Sequence, residues 1–345
     1  MAHERDQLRI EPQLRYLFLE LTDACNLHCR HCGSGCEMSP TSFLDTEAIQ
    51  KTIVSAVTHE PKVHIVLTGG EPYMHPAFSR IVRFLGKTGA LWSVVTNATL
   101  IDSDAADLLK KNGIYSVSVS LDGDESDHNL LRQSESAYVR AMRGIDVLCN
   151  KKIRLQITTV VTKQTVSKLE SIENIVRSTG AVSWKLLNIE PIGRALTNNE
   201  LLLNRKELFR LFDFICEKRS SAAAHTDALD VTYGCSHFLP LMYEEAVRTT
   251  PFICGAGIMI AGIRCNGDIS GCLDIERRPE LVQGNVRRDD FWAVWRDRYQ
   301  FFRRDRTGES DRCRDCKMRT LCGGDSLHTW DFDRKEPRMC MFTVE

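Results

Sequence analysis

Short apolar runs and amphipathic stretches alternate along residues 16–190 of this 345-residue chain. The apolar runs have the usual strand length of about four to eight residues, and the stretches between them are long enough for helices. A strand followed by a helix, repeated, predicts a parallel sheet that curves towards a barrel. The predicted strands are 16–21, 63–67, 92–95, 115–121, 154–161 and 184–189, and the predicted helices lie near 45–58, 77–86, 103–112, 136–150 and 167–178.

Polar motifs follow four of these predicted strands. The first strand is followed by LTDACNLHCRHC, the second by TGGEP, the third by TNAT and the fourth by SLDG. In barrels of parallel strands, reactive residues collect on the loops at the carboxyl ends of the strands. We therefore expect the four motifs to meet at one edge of the sheet.

Three cysteines, Cys25, Cys29 and Cys32, lie in the loop after the first strand. Their spacing would also place them on one face of a helix, as a buried core stripe. The residues between them are mostly polar or glycine, which is typical of a loop. Clustered thiols without a secretion signal favour a metal site, and sulfur ligands favour zinc or an iron–sulfur cluster. Three thiolates leave one iron of a [4Fe–4S] cluster open to another ligand.

Composition excludes several classes of partner. Hydrophobic residues make up 43% of the chain, charged residues 26%, and the formal net charge is −1, so nothing indicates a nucleic-acid partner. The amino terminus is charged, and no run of about 18 apolar residues occurs. We therefore expect a cytoplasmic protein that binds no membrane.

The cysteine spacing resembles that of the radical S-adenosylmethionine (radical SAM) superfamily, whose Cys-x3-Cys-x2-Cys loop follows the first strand of a partial (β/α)6 TIM-like barrel. The resemblance implies that Cys25, Cys29 and Cys32 hold a [4Fe–4S] cluster whose open iron chelates SAM. It also implies an electron donor, flavodoxin or ferredoxin, and reductive cleavage of SAM to a 5′-deoxyadenosyl radical.

The later motifs resemble further elements of the same family, although singly each is an ordinary turn or surface charge. GGEP holds the SAM ammonium in that family, and a carboxylate such as Glu71 suits a cationic amine. The resemblance further implies Ser120 for the ribose hydroxyls and Arg132 for the methionine carboxylate, while Ala98 replaces the usual glycine of TNG. The implied cofactor-binding residues are Gly69, Gly70, Glu71, Pro72, Asn97, Ser120, Asp122, Arg132, Asn188 and Arg194, the last two in a segment similar to PxGR.

A second group of cysteines follows a predicted helix near 205–218 and a small-residue segment at 220–224. Four of them lie near the carboxyl terminus and could close around zinc as a structural ribbon. Two others flank a predicted hairpin at 266–268. The cysteines of this half are Cys235, Cys254, Cys265, Cys272, Cys313, Cys316, Cys322 and Cys340.

The second group resembles the SPASM extension of radical SAM enzymes, which binds one or two auxiliary [4Fe–4S] clusters. The resemblance implies a first auxiliary cluster on Cys254 and Cys272, with Cys235 or Cys265 as a further candidate. One cysteine of the pattern is missing after Cys322, so this cluster is either open to substrate or absent. The resemblance implies that the second auxiliary cluster is held by Cys313, Cys316, Cys322 and Cys340.

Three acidic residues complete the predicted site. Asp325, close after Cys322, is expected to replace the missing cysteine as an oxygen ligand of the first auxiliary cluster. Asp274 and Glu276 lie where the resemblance implies a proton-accepting acid, and the alternative is surface charge in a loop.

The predicted architecture is α/β, a partial barrel followed by a small cysteine-rich SPASM domain. We expect an amino-terminal extension at 1–14, the barrel at 15–219, a linker at 220–252 and the SPASM domain at 253–345. The expected function is hydrogen abstraction from a peptide or protein side chain, with oxidation or cross-linking. The alternatives are radical chemistry on a small molecule, such as a tetrapyrrole or a sugar alcohol, and a non-catalytic iron–sulfur protein.

Overall fold

The computed structural model describes residues 2–38, 42–222, 229–234 and 236–342. Within these residues, ten strands form one sheet and two more pair near the carboxyl terminus. The strands are β1 Tyr16–Glu20, β2 His64–Thr68, β3 Leu91–Thr96, β4 Ser116–Ser120, β5 Leu155–Val161, β6 Ser183–Asn188, β7 Asp230–Tyr233, β8 Ile260–Ile263, β9 Asp268–Ser270, β10 Gly284–Asn285, β11 Trp330–Asp331 and β12 Glu336–Pro337. The helices are α1 Ala2–Ile10, α2 Thr46–His59, α3 Phe78–Leu85, α4 Ser103–Lys111, α5 Glu125–Arg132, α6 Ala137–Asn150, α7 Leu169–Ser178, α8 Arg205–Ala222, α9 Leu241–Glu244, α10 Phe291–Asp297, α11 Gln300–Arg303, α12 Asp311–Arg314 and α13 Arg319–Cys322.

The predicted strands are all present as β1 to β6, parallel and hydrogen-bonded in chain order. In β5, buried and half-buried residues alternate along the strand, which matches the period of a strand whose two faces differ. Parallel neighbours need a crossover connection, and α2, α3, α4, α6 and α7 supply helices for it. The fold is therefore a partial TIM-like barrel, and the carboxyl ends of its strands share one edge.

Helix α5 is not among the predicted elements, although it carries His128 and Arg132. Its start is capped, because Asp124 accepts a hydrogen bond from the backbone N–H of Asp127 at 2.9 Å. It ends after 8 residues, where Gln133 adopts a left-handed conformation with φ of +56°. A helix of about two turns is too short for hydrophobic periodicity to reveal it.

The structure corrects the prediction of a linker at 220–252 for the part of this segment that it describes. Strand β7 lies here and pairs in parallel with β6. Val231 and Tyr233 are buried, so β7 has an apolar face, and it packs beside α8. The sequence of β7, DVTY, contains only two apolar residues, so no apolar run marks it among its small-residue and polar neighbours. The division of the chain into four segments otherwise stays a prediction.

The cysteine-rich half continues the same sheet from its other side. Strand β8 pairs in parallel with β1, and β9 returns antiparallel to β8, which confirms the hairpin predicted at 266–268. The N–H of Gly267 donates to the carbonyl of Arg264 at 2.8 Å, and its φ of +91° favours glycine. Because β8 runs parallel to β1, its carboxyl end lies at the same edge as the motifs.

Helix α6 crosses directly over the TNAT loop that follows β3. Ala98 in this loop has φ of +59°, a conformation that glycine adopts more easily, which accounts for the glycine of the related motif. A Cβ atom at Gly144 of α6 would lie 2.2 Å from the carbonyl oxygen of Ala98. The helix can therefore approach the loop only with glycine at this position.

Gly144→Ala is expected to lower the free energy of unfolding by about 1–3 kcal/mol, the usual range for overpacking. At an unobstructed helix position, Gly→Ala raises the free energy of unfolding by roughly 0.5–1 kcal/mol. The sign of the change therefore shows whether the helix and the loop are in contact. Anaerobic urea unfolding followed by circular dichroism measures the change. Gly308→Ala is the control, because its Cβ would meet only a flexible arginine end at 3.9 Å. A stabilised Gly144→Ala protein would contradict the close approach.

Candidate active site

The thiols of Cys25, Cys29 and Cys32 lie in the loop that directly follows β1. The N–H of Cys25 donates to the carbonyl of Glu37 at 2.8 Å, which closes the loop at its base. Cys25 and Cys29 are buried in one cluster with Cys36, and Cys32 packs against them. Residues 25–36 contain no helix, so the alternative of a helical core stripe does not hold. The structure thus brings the three predicted ligands together.

The spacing of these three sulfurs fits a cluster better than a single ion. Around one zinc ion, with Zn–S bonds of about 2.3 Å, tetrahedral sulfur ligands lie roughly 3.8 Å apart. Among the residues that the structure describes, only Cys272, Asp274 and His328 bring three ligand atoms within 4.8 Å of one another. The three loop sulfurs do not all lie within this distance of one another, and a [4Fe–4S] cluster suits wider spacing because it binds each thiolate at a different iron.

The thiols of the cysteine loop differ in pKa, because they differ in burial and in hydrogen bonding. Burial raises the pKa of Cys25 to about 12 and also raises that of Cys29, where the nearby guanidinium of Arg132 opposes it. A hydrogen bond from the thiol of Cys36 lowers the pKa of Cys32 to about 5. Because metal ligation requires thiolates, cluster binding has to displace protons mainly at the two buried ligands.

The GGEP motif after β2 approaches the cysteine loop so closely that only glycine fits. A Cβ atom at Gly70 would lie 2.1 Å from the carbonyl oxygen of Ala24 and 3.0 Å from the Cβ of Cys25. A Cβ atom at Gly69 would lie 2.6 Å from the carbonyl oxygen of Thr22. The predicted SAM motif and the predicted cluster loop therefore form one continuous surface.

The carboxylate of Glu71 is fully buried and bonded within the protein. It accepts hydrogen bonds from the hydroxyl of Thr96 at 2.8 Å and from the N–H of Asn97 at 2.9 Å. Burial raises the pKa of this carboxyl to about 7 despite these donors. Glu71 thus ties the loops after β2 and β3 together, and its predicted contact with the SAM ammonium stays a prediction.

Asn97 connects the TNAT loop to the cysteine loop. Its Nδ2 donates to Oδ1 of Asn26 at 3.0 Å and lies 3.9 Å from the sulfur of Cys25. Its Oδ1 accepts the N–H of Thr99 at 3.0 Å, and Asn26 donates to the hydroxyl of Thr99 at 2.7 Å. These bonds orient Asn97 towards a predicted cluster ligand.

A buried ion pair joins the loop after β4 to the cysteine loop. Asp122 Oδ2 accepts a hydrogen bond from Arg132 Nε at 2.7 Å, and Arg132 Nη1 donates to the sulfur of Cys29 at 3.6 Å. Burial alone would raise the pKa of Asp122, but Arg132 and His128 hold it well below its usual range. Arg132 therefore contacts a predicted cluster ligand, and its contact with the methionine carboxylate stays a prediction.

The PxGR-like segment after β6 holds the cysteine loop from another side. Arg194 Nε donates to the carbonyl of Cys29 at 2.8 Å, and its Nη1 donates to the carbonyl of Cys36 at 2.9 Å. Gly193 has φ of +52°, and a Cβ atom there would lie 2.3 Å from the carbonyl oxygen of Cys32. These contacts could not be predicted from the sequence, because the acceptors are backbone carbonyl groups, which every residue has.

The remaining predicted cofactor residues lie around this loop. Ser120 is half-buried at the carboxyl end of β4, and Pro72 is buried at the start of a short turn. Asn188 is buried at the end of β6, where it bonds to the hydroxyl of Tyr233 and donates to the carbonyl of Ile189 at 3.2 Å. Asn188 thus fixes β6 against β7.

Four thiols of the cysteine-rich half lie together around α12 and α13. Burial raises the pKa of Cys313, and Cys340 and Cys316 raise it further, which requires them to be close. Burial also raises the pKa of Cys322, with Cys340 again contributing in the same direction. Four thiols can hold either a zinc ion or a [4Fe–4S] cluster, so the zinc ribbon stays an alternative for this set. They are the set predicted for the second auxiliary cluster.

Cys254 and Cys272 approach the turn at residues 326–328. The backbone N–H of Leu327 donates to the sulfur of Cys254 at 3.5 Å, and Nε2 of His328 lies 4.0 Å from the sulfur of Cys272. Both cysteines thus lie beside the turn where the resemblance places a further ligand. Their role as ligands of a first auxiliary cluster stays a prediction.

The structure corrects the expectation for Asp325. In the SPASM pattern that the resemblance implies, a cysteine stands four residues after the position of Cys322; this position is Ser326, one residue after Asp325. Asp325 is buried, and its two oxygens are occupied by the N–H of Phe238 at 2.8 Å and by Nδ1 of His237 at 3.0 Å. Its carboxylate therefore anchors the 236–238 segment instead of pointing to a metal.

Cys265 and Cys235 were the further candidates for the first auxiliary cluster, and the structure describes only Cys265. Cys265 is buried after β8, where its N–H donates to the carboxylate of Glu20 at 3.2 Å and its carbonyl accepts the hydroxyl of Ser42 at 3.1 Å. Burial and the Glu20 carboxylate raise its pKa to about 12. Cys235 lies outside the described residues.

Behind Cys272 lies a chain of buried ionisable groups that was not predicted. Glu190 Oε2 is 3.7 Å from His328 Nδ1, and Glu190 Oε1 is 3.4 Å from His237 Nε2. Burial alone would raise the pKa of Glu190, but the two imidazoles lower it to about 2. These groups come from three segments that are distant in sequence, so no short sequence motif predicts that they meet.

Two adjoining cavities separate the cysteine loop from this chain of groups. One has a volume of about 200 Å³ and contains His31, Glu190 and Asp274 in its wall. Burial lowers the pKa of His31 to about 3, so this imidazole is neutral. The second cavity, of about 310 Å³, shares Asp274 and His328 with the first. Of the two predicted acids, Asp274 thus faces both cavities, and Glu276 lines the second, 3.2 Å from Arg338.

Two parts of the chain match known protein families. Residues 19–176 match the family described as the Radical SAM superfamily. This chain therefore contains a radical SAM domain. Residues 254–317 match SPASM, described as an iron–sulfur cluster-binding domain, so the radical SAM barrel is followed by a SPASM domain. The two domains imply [4Fe–4S] clusters and SAM as the cofactors of this radical SAM enzyme.

Several relatives match this radical SAM protein over most of its length. An AdoMet-dependent heme synthase of Nitratidesulfovibrio vulgaris is 28% identical over 327 residues, which cover 91% of this chain and 87% of that protein. One of Methanosarcina barkeri is 25% identical and covers 94% of this chain and 95% of that protein. The mycofactocin maturase MftC of Mycobacterium ulcerans is 25% identical, and the match covers 88% of this chain and 80% of that protein.

Solved structures share the fold of this radical SAM protein. SuiB of Streptococcus suis bound to S-adenosylmethionine has a TM-score of 0.77 at 17% identity, covering 96% of this chain and 78% of that one. The enzyme anSMEcpe with bound AdoMet has a TM-score of 0.70 at 16% identity, covering 92% and 90%. None of the helices in the described residues has the length and apolar character needed to cross a bilayer.

Proposed function

We propose that this radical SAM enzyme acts on a tetrapyrrole. Three relatives, 25–28% identical, are named AdoMet-dependent heme synthase, and a fourth, 24% identical, is named Fe-coproporphyrin III synthase. All four names refer to tetrapyrroles. They favour the small-molecule alternative over the peptide substrate that the sequence first led us to expect.

The observation that carries the proposal is the character of the larger cavity beside the cysteine loop. Its wall combines apolar side chains, among them Ile192 and Leu273, with the guanidinium groups of Arg264, Arg277 and Arg338. A biological tetrapyrrole combines an apolar ring system with carboxylate side chains. Arginine binds carboxylates through paired, charge-assisted hydrogen bonds. The cavity therefore offers both kinds of contact that such a substrate needs.

Protein partners hold these arginines in place without using all their donors. Arg264 Nη2 donates to the carbonyl of Ile275 at 2.6 Å, and Arg338 Nη2 donates to Glu276 at 3.2 Å. A guanidinium carries five N–H donors, so others remain for a substrate carboxylate. Positioned cations of this kind orient a substrate at little entropic cost.

Different residues of the chain would have different roles in the proposed reaction. A [4Fe–4S] cluster with bound SAM would supply the electron for reductive cleavage of SAM and so the radical that abstracts hydrogen from the substrate. The three thiols of the loop after β1 would hold that cluster, with Arg132 and Asn97 packed against two of them. Arg338 would orient the substrate in the larger cavity, whose wall also contains Asp274. The electron donor stays a prediction.

The proposal is tested with iron coproporphyrin III under anaerobic conditions. We expect it to bind the reconstituted enzyme, to shift its own Soret absorption, and to be consumed when SAM and dithionite are added. Arg338→Gln should raise the dissociation constant about tenfold or more, because a hydrogen bond to a charged group contributes roughly 1.5–3 kcal/mol. Arg334→Gln is the matched control, since Arg334 is exposed and pairs with Glu336 at 2.9 Å.

A peptide substrate is the second candidate, because the mycofactocin maturases match over 308–310 residues at 24–26% identity. The two candidates predict opposite results in one assay. Formation of 5′-deoxyadenosine coupled to porphyrin consumption supports the tetrapyrrole. Absence of porphyrin binding, together with peptide-dependent 5′-deoxyadenosine formation, would make the peptide the substrate.

A further inference from the structure

The SPASM domain departs from the ligand set of a first auxiliary cluster at the turn 326–328. Ser326 stands where the pattern has a cysteine, and its hydroxyl accepts the backbone N–H of His328 at 3.2 Å. A hydroxyl that is buried and bonded in this way does not replace a thiolate. The surroundings of Cys272 therefore do not match a cluster held by four thiolates.

Cys272, Asp274 and His328 instead converge on one point. A thiol sulfur, a carboxylate oxygen and an imidazole nitrogen all lie within 4.8 Å of one another. Ligands of one zinc ion, with bonds of about 2.0–2.3 Å, lie roughly 3.3–3.8 Å apart, so small side-chain rotations close this group on one ion. Thiolates of a cubane bind different irons and stay further apart. The dimensions of the trio are those of a single-ion site.

The surroundings of His328 are those of a metal-binding histidine. Such a ligand is usually oriented by a carboxylate on its second ring nitrogen. Glu190 Oε2 lies 3.7 Å from Nδ1 of His328, which leaves Nε2, at 4.0 Å from the sulfur of Cys272, as the ligand atom. Glu190 is itself buried and is flanked by His237, which Asp325 holds at 3.0 Å. A buried carboxylate is thus fixed behind the imidazole.

We propose that Cys272, Asp274 and His328 bind one divalent cation, zinc or ferrous iron, in place of the first auxiliary cluster. One sulfur, one nitrogen and one oxygen ligand suit metals of intermediate softness. Three protein ligands leave a fourth position, as in catalytic zinc sites. Asp274 and His328 line both cavities, so this position faces the substrate space. The cation is placed to bind an oxygen donor of the substrate, whichever substrate that is.

Zinc is the probe for this site, because X-ray absorption at the zinc edge does not detect the iron of the clusters. The anaerobically reconstituted holoenzyme is incubated with zinc chloride, desalted, and analysed for zinc, iron and acid-labile sulfide. We expect about one zinc per chain, with one sulfur neighbour near 2.3 Å and nitrogen or oxygen neighbours near 2.0–2.1 Å. Iron in excess of labile sulfide by about one per chain before zinc is added would identify ferrous iron as the native ion.

Variants separate this site from a cluster. His328→Gln and Asp274→Asn should abolish zinc binding without changing the iron and sulfide content. Glu190→Gln should weaken zinc affinity about 10- to 100-fold, the usual effect of losing an orienting carboxylate. Glu276→Gln and Cys265→Ser are the matched controls and should retain zinc.

Two results would overturn the proposal. One is a holoenzyme that takes up no zinc and whose iron equals its sulfide. The other is a Cys272→Ser protein that loses about four irons and four sulfides, because Cys272 would then be a cluster ligand. His328→Gln and Asp274→Asn keep the test valid if Cys272→Ser does not fold. Neither result depends on the tetrapyrrole proposal, since substrate is absent from every sample.

Discussion

Replacing Asp122 by asparagine is expected to lower the free energy of unfolding by about 3–5 kcal/mol. The substitution leaves Arg132 charged in a buried site without its counter-ion, because Asp122 is fully buried and accepts from Nε of Arg132 at 2.7 Å. Asp122 also accepts the N–H of Val160 at 3.0 Å through its other oxygen, and asparagine, with a single acceptor oxygen, can keep only one of these two bonds. Urea unfolding of the reconstituted protein under anaerobic conditions measures the loss.

The effect of Asp122→Asn should also depend on pH in a defined direction. Arg132 and His128 hold the pKa of Asp122 below its value of 3.8 in an unfolded chain, although burial opposes them. A depressed pKa stabilises the fold above that unfolded value, and the stabilisation is lost as the pH falls further. The difference between wild type and variant should therefore be constant above about pH 5 and shrink below about pH 4.

Asp107→Asn is the matched control for this prediction. Asp107 pairs with Lys151 at 2.7 Å on the surface, where an ion pair contributes roughly 0–1 kcal/mol. Equal losses in the two variants, or a difference from wild type that does not change between pH 5 and pH 3, would contradict the buried ion pair at Asp122.

Gly70→Ala is expected to lower the rate of 5′-deoxyadenosine formation about 100-fold. The new methyl group would lie 2.1 Å from the carbonyl oxygen of Ala24, which is backbone and cannot turn aside. The SAM motif must then move away from the cysteine loop, and a displacement of about 1 Å at a reacting centre reduces rates by roughly this factor. The rate is measured with SAM and dithionite in anaerobic assays of wild type and variant.

Iron content separates displacement from unfolding in the Gly70→Ala protein. We expect the carboxyl-terminal thiols to keep their iron, while the site at Cys25, Cys29 and Cys32 loses part of its own. Gly308→Ala is the control, since its methyl group would meet only a flexible side chain. A Gly70→Ala enzyme with wild-type rate and iron content would show that the two loops are not in contact as described.

The barrel strands and the edge where the motifs meet could be predicted, because strand and helix periods are local properties of the sequence. Each of the six expected strands had an apolar run of sufficient length. Helix α5 and strand β7 were missed, because neither shows a clear apolar run or period. The hairpin at 266–268 was predicted because Asn-Gly is a strong turn signal.

The parts of the site that could not be predicted depend on contacts between distant segments. Glu190, His237 and His328 meet only in the folded chain, and each alone has an ordinary sequence context. Asp325 was expected to bind metal from a count of residues, whereas its actual partners lie in the 236–238 segment. Arg194 was expected among the cofactor-binding residues, but its bonds to backbone carbonyl groups of the cysteine loop could not be predicted, because every residue has such a group.

The most direct test of the account is 5′-deoxyadenosine formation by the anaerobically reconstituted protein with SAM and dithionite. Wild type should form it, and Cys29→Ala should form none above background. Cys149→Ala, which removes an exposed thiol on α6, should behave as wild type. If wild type forms no more 5′-deoxyadenosine than Cys29→Ala, the three thiols after β1 do not support SAM cleavage and the account is wrong.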